Sequence, residues 1–232
     1  MIYIGDCHGN FNKLKEQILK KVENENLILL GDVGLGFGKF NLKAFGFDAI
    51  KGLMLDFVNL NATLYGSNNH LYLLRGNHDD PGVWKIFNDS FDYITFVNDY
   101  DVLTIEDKKI LFVGGGISID RSIRTENVNW WKGENIPKIP KNIVTDVDIL
   151  ATHVPLRSTF ATPAPTELLD YYVQRDPELL KDIEKEEKIL KKLDEKINKK
   201  WWVSAHFHRS DRNYTDDCNY INLDILETFE IK

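Results

Sequence analysis

Ile2-Tyr3-Ile4-Gly5-Asp6-Cys7-His8-Gly9-Asn10 carries a short apolar run, a glycine, and then a carboxylate and an imidazole two positions apart. The same order returns further along the chain. Leu27 to Leu30 precedes Gly31-Asp32, and Leu71 to Leu74 precedes Arg75-Gly76-Asn77-His78. Ile149-Leu150-Ala151 precedes Thr152-His153, and Trp201 to Val203 precedes Ser204-Ala205-His206. Runs this short, rich in branched residues and closed by small ones, read as buried strands.

Helical spacing lies between them: Leu14, Ile18 and Val22, then Ile50, Leu53, Met54, Phe57 and Leu60. Strands alternating with helices imply parallel strands joined by right-handed crossovers, and ligands then gather beyond the carboxyl ends of those strands. The stretches Ile94 to Val97, Asp101 to Ile105 and Ile110 to Val113 read as adjacent strands, with a tight turn at Glu106-Asp107-Lys108. Tyr220 to Leu223 and Leu226 to Phe229 read as short strands near the C-terminus. Together these predict an α/β fold: a four-layer α/β/β/α sandwich of two mixed sheets flanked by helices, in a single domain over 1–232. Asp176 to Lys200 is charge-rich with apolar residues at Leu179, Ile183, Leu190, Leu193 and Ile197, which predicts a solvated amphipathic helix.

Composition narrows the function classes. The chain has 232 residues, 43% of them hydrophobic, enough for one sizeable core. No basic region followed by an apolar stretch opens it, and no run is long enough to span a membrane. Two cysteines, Cys7 and Cys218, are too few for a disulfide framework and suit a reducing, cytoplasmic setting. A formal charge of −7 disfavours a nucleic-acid partner. His70, after Asn68-Asn69, is expected in an exposed loop, and Cys7 as a small strand-end residue without reactive function.

His8, His78, His153, His206 and His208 all fall in the strand-end segments. With Asp6, Asp32 and Asn77 they make an oxygen- and nitrogen-rich set suited to divalent metals of borderline hardness. In that order, Gly5-Asp6-Cys7-His8-Gly9-Asn10, Gly31-Asp32, Gly76-Asn77-His78-Asp79, Thr152-His153 and His206-Phe207-His208 resemble the calcineurin-like metallophosphoesterase superfamily across residues 5–208. The resemblance implies that Asp6, His8 and His208 hold one metal, that Asn77, His153 and His206 hold a second, and that Asp32 bridges the two. It implies two divalent ions, manganese first, with iron, zinc or nickel also accommodated. It further implies hydrolysis of a phosphate mono- or diester by a metal-bridging hydroxide, with His78 serving the leaving oxygen.

Arg75 matches the arginine that protein phosphatases place before this motif, where a planar fork suits phosphate oxygens. Gly114-Gly115-Gly116-Ile117-Ser118-Ile119-Asp120-Arg121, with Arg124, Trp130-Trp131 and Glu134, resembles a bacterial and phage subgroup of undefined substrate. Two readings stay open there. Arg121 and Arg124 contact a substrate phosphate, or they pair with Asp120 and Glu134 while the tryptophans cover the core. The sequence departs from the phosphoprotein phosphatases after Gly31-Asp32: Leu35-Gly36-Phe37 follows where Asp-Arg-Gly is usual. The acid that would orient His78 and a phosphate-binding arginine are absent from that segment, and Asp79, Arg121 or Arg124 are the candidates to compensate. The expectation is therefore a small phosphoester, such as a nucleotide, with a Ser/Thr protein phosphatase as the alternative. A nuclease or a scaffold without activity fits less well.

Overall fold

A computed structural model describes residues 1–38, 41–163 and 166–231. The chain begins β1 (Ile2–Ile4), α1 (Phe11–Leu14), β2 (Asn26–Leu29), α2 (Leu42–Phe45), α3 (Phe47–Gly66), β3 (His70–Leu73), α4 (Pro81–Phe87) and β4 (Ile94–Phe96). It continues β5 (Val102–Ile105), β6 (Lys108–Val113), β7 (Ile149–Thr152), α5 (Glu167–Val173), α6 (Leu179–Lys196) and β8 (Trp201–Ser204). It ends with β9 (Asp211–Tyr214), β10 (Asn219–Asn222) and β11 (Thr228–Glu230).

Two mixed sheets result, in the orders β11-β1-β2-β3-β4 and β5-β6-β7-β8-β10-β9. β1 to β4 run parallel and β11 joins antiparallel. β6, β7, β8 and β10 run parallel, with β5 and β9 antiparallel at the two edges.

The apolar runs sort into layers by the two-residue period of a strand. Leu27 and Leu29 turn outward and pack with Phe11, Leu53, Phe57 and Phe87 of the covering helices. Ile28 and Leu30 turn inward against Phe112, Ala151 and Val203 of the other sheet. On that sheet's far side Leu111, Val113, Leu150 and Trp202 pack with Leu190 and Leu193 of α6. Both faces of the central strands are covered, so their sequences are continuously apolar instead of alternating. Each fully buried Leu or Ile contributes about 1.5–3 kcal/mol. Among the described residues no helix is long and apolar enough to cross a membrane.

Some local expectations are corrected. The Leu14–Ile18–Val22 period does not make one regular helix: α1 is a single turn, widened into a π-helical turn over Lys15–Leu19. His70 is the first residue of β3, half-buried, with Nε2 2.8 Å from Thr95 Oγ1, because β4 pairs alongside it. The last strand is shifted past Leu226, which takes a left-handed turn at φ 53°. Helix α4 has local signals in the sequence: Asp80 accepts the Gly82 N–H at 2.7 Å and Pro81 occupies the first turn.

The buried stripe of α6 also includes Glu186, three residues after Ile183 and four before Leu190. Its Oε2 has no hydrogen-bond partner, and burial pushes its carboxyl up to about 8. The folded chain thus keeps a proton there that the unfolded chain releases near its ordinary value of 4.5. Stability must fall as pH rises between those two values. Glu186→Met is therefore expected to add about 2–4 kcal/mol at pH 8 and far less at pH 5, read from urea unfolding. Equal shifts at both pH values would contradict this.

Candidate metal centre

Every motif loop leaves the carboxyl end of a parallel strand. Asp6 and His8 follow β1, Asp32 follows β2, and Asn77 to Asp79 follow β3. His153 follows β7, and His206 and His208 follow β8, so both sheets contribute. Backbone bonds tie the loops together: the Cys7 and His8 N–H groups donate to Asp32 O, and Gly9 N–H donates to Val33 O.

Close approach explains two glycines. A Cβ on Gly31, at φ +100°, would lie 2.3 Å from His153 Nδ1, and one on Gly76 would lie 2.2 Å from the Asp32 nitrogen. His8, Asp32, His206 and His208 all have φ between 44° and 68°. Asp and His tolerate this left-handed region better than most residues, and such strain gathers at functional sites.

The side chains converge in two groups. Asp6, His8, Asp32 and His208 form one, and Asp32, His153 and His206 form the other, with ligand atoms within 4.8 Å of one another in each. Asp32 belongs to both. His8 Nε2 faces His208 Nε2 at 2.8 Å, and His206 Nδ1 faces His153 Nε2 at 3.1 Å. Asn77 Oδ1 stands 3.0 Å from His153 Nε2, beside the second group.

Electrostatics shows what this arrangement lacks when it is only protein. Asp6 and Asp32 are buried. Burial would raise the Asp32 carboxyl, but the imidazoles of His78, His153 and His8 outweigh it and hold it well below the carboxylate range. Burial would lower His153, yet Asp32 and Asp6 carry it up to about 9. His206 is driven well below its ordinary value by burial and by His153. Buried carboxylates and ring nitrogens turned on one another call for positive charge at their centre, and a proton on His153 supplies only part of it. The donor set fits divalent cations of borderline hardness.

A chain of bonds supports the cluster from behind. Glu134, buried, accepts the Ser118 N–H at 2.8 Å and the Ser118 hydroxyl at 2.7 Å. Ser118 Oγ in turn accepts from Asn77 Nδ2 at 3.0 Å. With its amide nitrogen so engaged, Asn77 must turn its oxygen toward His153. Burial pushes Glu134 up to about 7, against the Ser118 bonds.

The remaining expected residues fall in different places. Arg75 is 7% exposed; its guanidinium donates to Glu134 O at 3.0 Å and to Asp99 Oδ2 at 3.2 Å. It braces the backbone of the 133–135 segment and pairs with Asp99. Arg121 is likewise paired, with Asp176 at 2.6 Å and Asp182 at 2.9 Å. Arg124 reaches His78: its Nη2 lies 2.8 Å from His78 Nε2, its Nε pairs with Asp120 at 2.7 Å and its Nη1 donates to Asn129 O at 3.2 Å, while Arg157 and Arg209 also line the adjoining cavity. Glu134 bonds to Ser118 and does not join that ion pair.

Asp79 accepts N–H groups from Val33, Gly34, Leu35 and Gly76. It ties the second motif loop to the third, and does not touch His78. Burial and then the Asp32 charge raise its carboxyl to about 7. Cys7 is buried and pushed up to about 12 by that burial, an inert thiol.

Phe37, Ser118 and the supporting role of Glu134 were not foreseen. Phe37 stacks on His78 at 4.5 Å and an 8° interplanar angle, with Trp131 6.1 Å behind it. Its only sequence signal is position, in the segment where Asp-Arg-Gly is usual. Burial lowers His78 to about 4 against the pull of Asp32, and Arg124 adds to the lowering.

A family model described as calcineurin-like phosphoesterase matches residues 2–210. No curated protein matches the chain significantly. Among solved structures the chain is similar to one titled "GAP50 the anchor in the inner membrane complex of Plasmodium", over 97% of this chain and 71% of that one. Identity there is 14% and the TM-score 0.39.

Proposed function

This chain belongs to the calcineurin-like phosphoesterase family, which implies a metal-dependent phosphoric ester hydrolase, and from that premise we propose that it hydrolyses a small organic phosphate ester at a dinuclear centre. The observation that carries the proposal is Asp32, common to two ligand groups that otherwise draw on different loops. Asp6, His8 and His208 would complete one position, and Asn77, His153 and His206 the other. When bound, divalent ions supply Lewis acidity and a water of lowered pKa.

The chain's own residues supply the rest. Arg124 offers a guanidinium beside His78, where phosphoryl oxygens would gather, and it does so from the Gly-rich segment. Phe37 and Arg124 together hold the His78 ring in one orientation. With Nε2 accepting from Arg124, a neutral His78 keeps its N–H at Nδ1, from which it would donate a hydrogen bond to the leaving oxygen. Arg75, one of the features that favour a phosphoprotein substrate, is buried and bonded to protein acceptors, which supports a small phosphoester.

The test is a panel of phosphate mono- and diesters, nucleotides and a phosphoserine peptide offered to manganese-loaded protein. Release of phosphate or alcohol from the small esters, faster than from the peptide, is the expected outcome. Absence of hydrolysis across the panel, in protein verified to carry metal, would refute the proposal.

A further inference from the structure

A cavity of about 370 Å³ opens onto Asp32, His78, His206 and His208. Its volume falls within the range of small-molecule sites. Much of its remaining lining is apolar: Ile117, Ile119, Leu168, Leu169, Tyr172 and Phe207.

The apolar wall is built into the fold. Ile119, Leu169, Tyr172 and Val173 pack on a small separate core of Ile117, Leu179 and Ile183. That core joins the end of the Gly-rich segment to α5 and the start of α6. Arg121 clamps the same junction through Asp176 before α6 and Asp182 within it. Arg121, for which the sequence leaves substrate contact and ion pairing both open, acts here as a strut for the wall. Leu168 is 61% exposed, an apolar side chain left in water at the cavity's lining.

Chemistry selects what such a wall accepts. Ser118, Asp120, Arg157 and Arg209 share the lining and offer partners to some hydroxyls, but against the apolar wall the rest of a sugar would lose hydration, whereas an apolar ring would gain from leaving water. We infer that this cavity selects phosphoesters whose organic group is apolar or aromatic, with the phosphoryl group at the Asp32–His78 end. This inference rests on the phosphoesterase reading of the adjacent cluster and adds the substrate class to it.

Two primary-alcohol esters of similar bulk test it, 3-phenylpropyl phosphate and glucose 6-phosphate, each offered to the manganese-loaded protein. The ratio of their kcat/KM values cancels differences in active fraction between preparations. The wild-type ratio is expected at about tenfold or more in favour of the phenylpropyl ester. It should fall toward one in Leu169→Ser/Tyr172→Ser and persist in Leu169→Met/Tyr172→Phe. A wild-type ratio at or below one overturns the inference whether or not the serine variant folds, and so does a ratio that survives the serine substitutions. Cleavage of both esters at similar rates would sink this inference alone. Cleavage of neither, with hydrolysis of other esters in the panel, would overturn this inference alone; no hydrolysis anywhere in that panel would remove the phosphoesterase reading as well.

Discussion

Replacing Asp32 by asparagine is expected to lower kcat/KM by about 10³-fold or more, and to release metal from both halves of the cluster at once. Outer partners of metal ligands typically change affinity or activity by about 10–100-fold, and Asp32 stands closer than that. Its Oδ1 lies 3.3 Å from His153 Nε2, and its Oδ2 lies 3.7 Å from His8 Nδ1, so one carboxylate serves both groups. Asparagine keeps the volume and the Oδ1 acceptor for the His78 N–H, now at 2.8 Å, so the loops stay in place and the loss reports charge. Asp6 belongs to one group only, and Asp6→Asn should release metal from that group first. Metal content after dialysis, with steady-state rates, separates the two variants. A full metal complement in Asp32→Asn with activity within tenfold of wild type would contradict a shared ligand.

His78→Asn should act differently. His78 belongs to neither ligand group, yet it faces the same cavity and has its ring held by Phe37 and Arg124. Losing one positioned hydrogen-bond donor to a developing oxyanion typically costs about 10²–10³-fold, and the loss is expected in kcat with metal content unchanged. Asparagine removes the imidazole and leaves the backbone N–H that donates to Asp32. A kcat within tenfold of wild type, or a parallel loss of metal, would show that His78 is not acting on the leaving group.

The contrast between these variants reflects how differently their roles could be read from sequence. Asp6, His8, Asp32, His153, His206 and His208 each follow an apolar strand run directly, and the fold brings them together because parallel strands of a sheet deliver their carboxyl ends to one edge. Arg75 stands in the same kind of position but is taken up by Asp99 and the 133–135 backbone, acceptors from loops far along the chain. Arg121 and Arg124 are three residues apart in one segment and end with different partners, one in a double ion pair, the other on His78. Nothing in their local pattern distinguishes them. Glu186 sits in an apolar stripe, and only the packing of α6 shows that it is buried among that stripe.

Sequence alone determined the alternation of buried strands and helices, the two-sheet class and the residues that meet at the strand ends, because the two-residue and 3.6-residue periods and the glycines of close approach are local properties of the chain. The tertiary structure alone decided which polar groups were already spent on one another. It filled the forks of Arg75 and Arg121, set one nitrogen of Arg124 on His78 and the others on Asp120 and Asn129, placed Phe37 on that ring and turned Asn77 through Ser118. Those outcomes depend on charge and hydrogen-bond partners tens of residues away, and such pairing leaves no period to read.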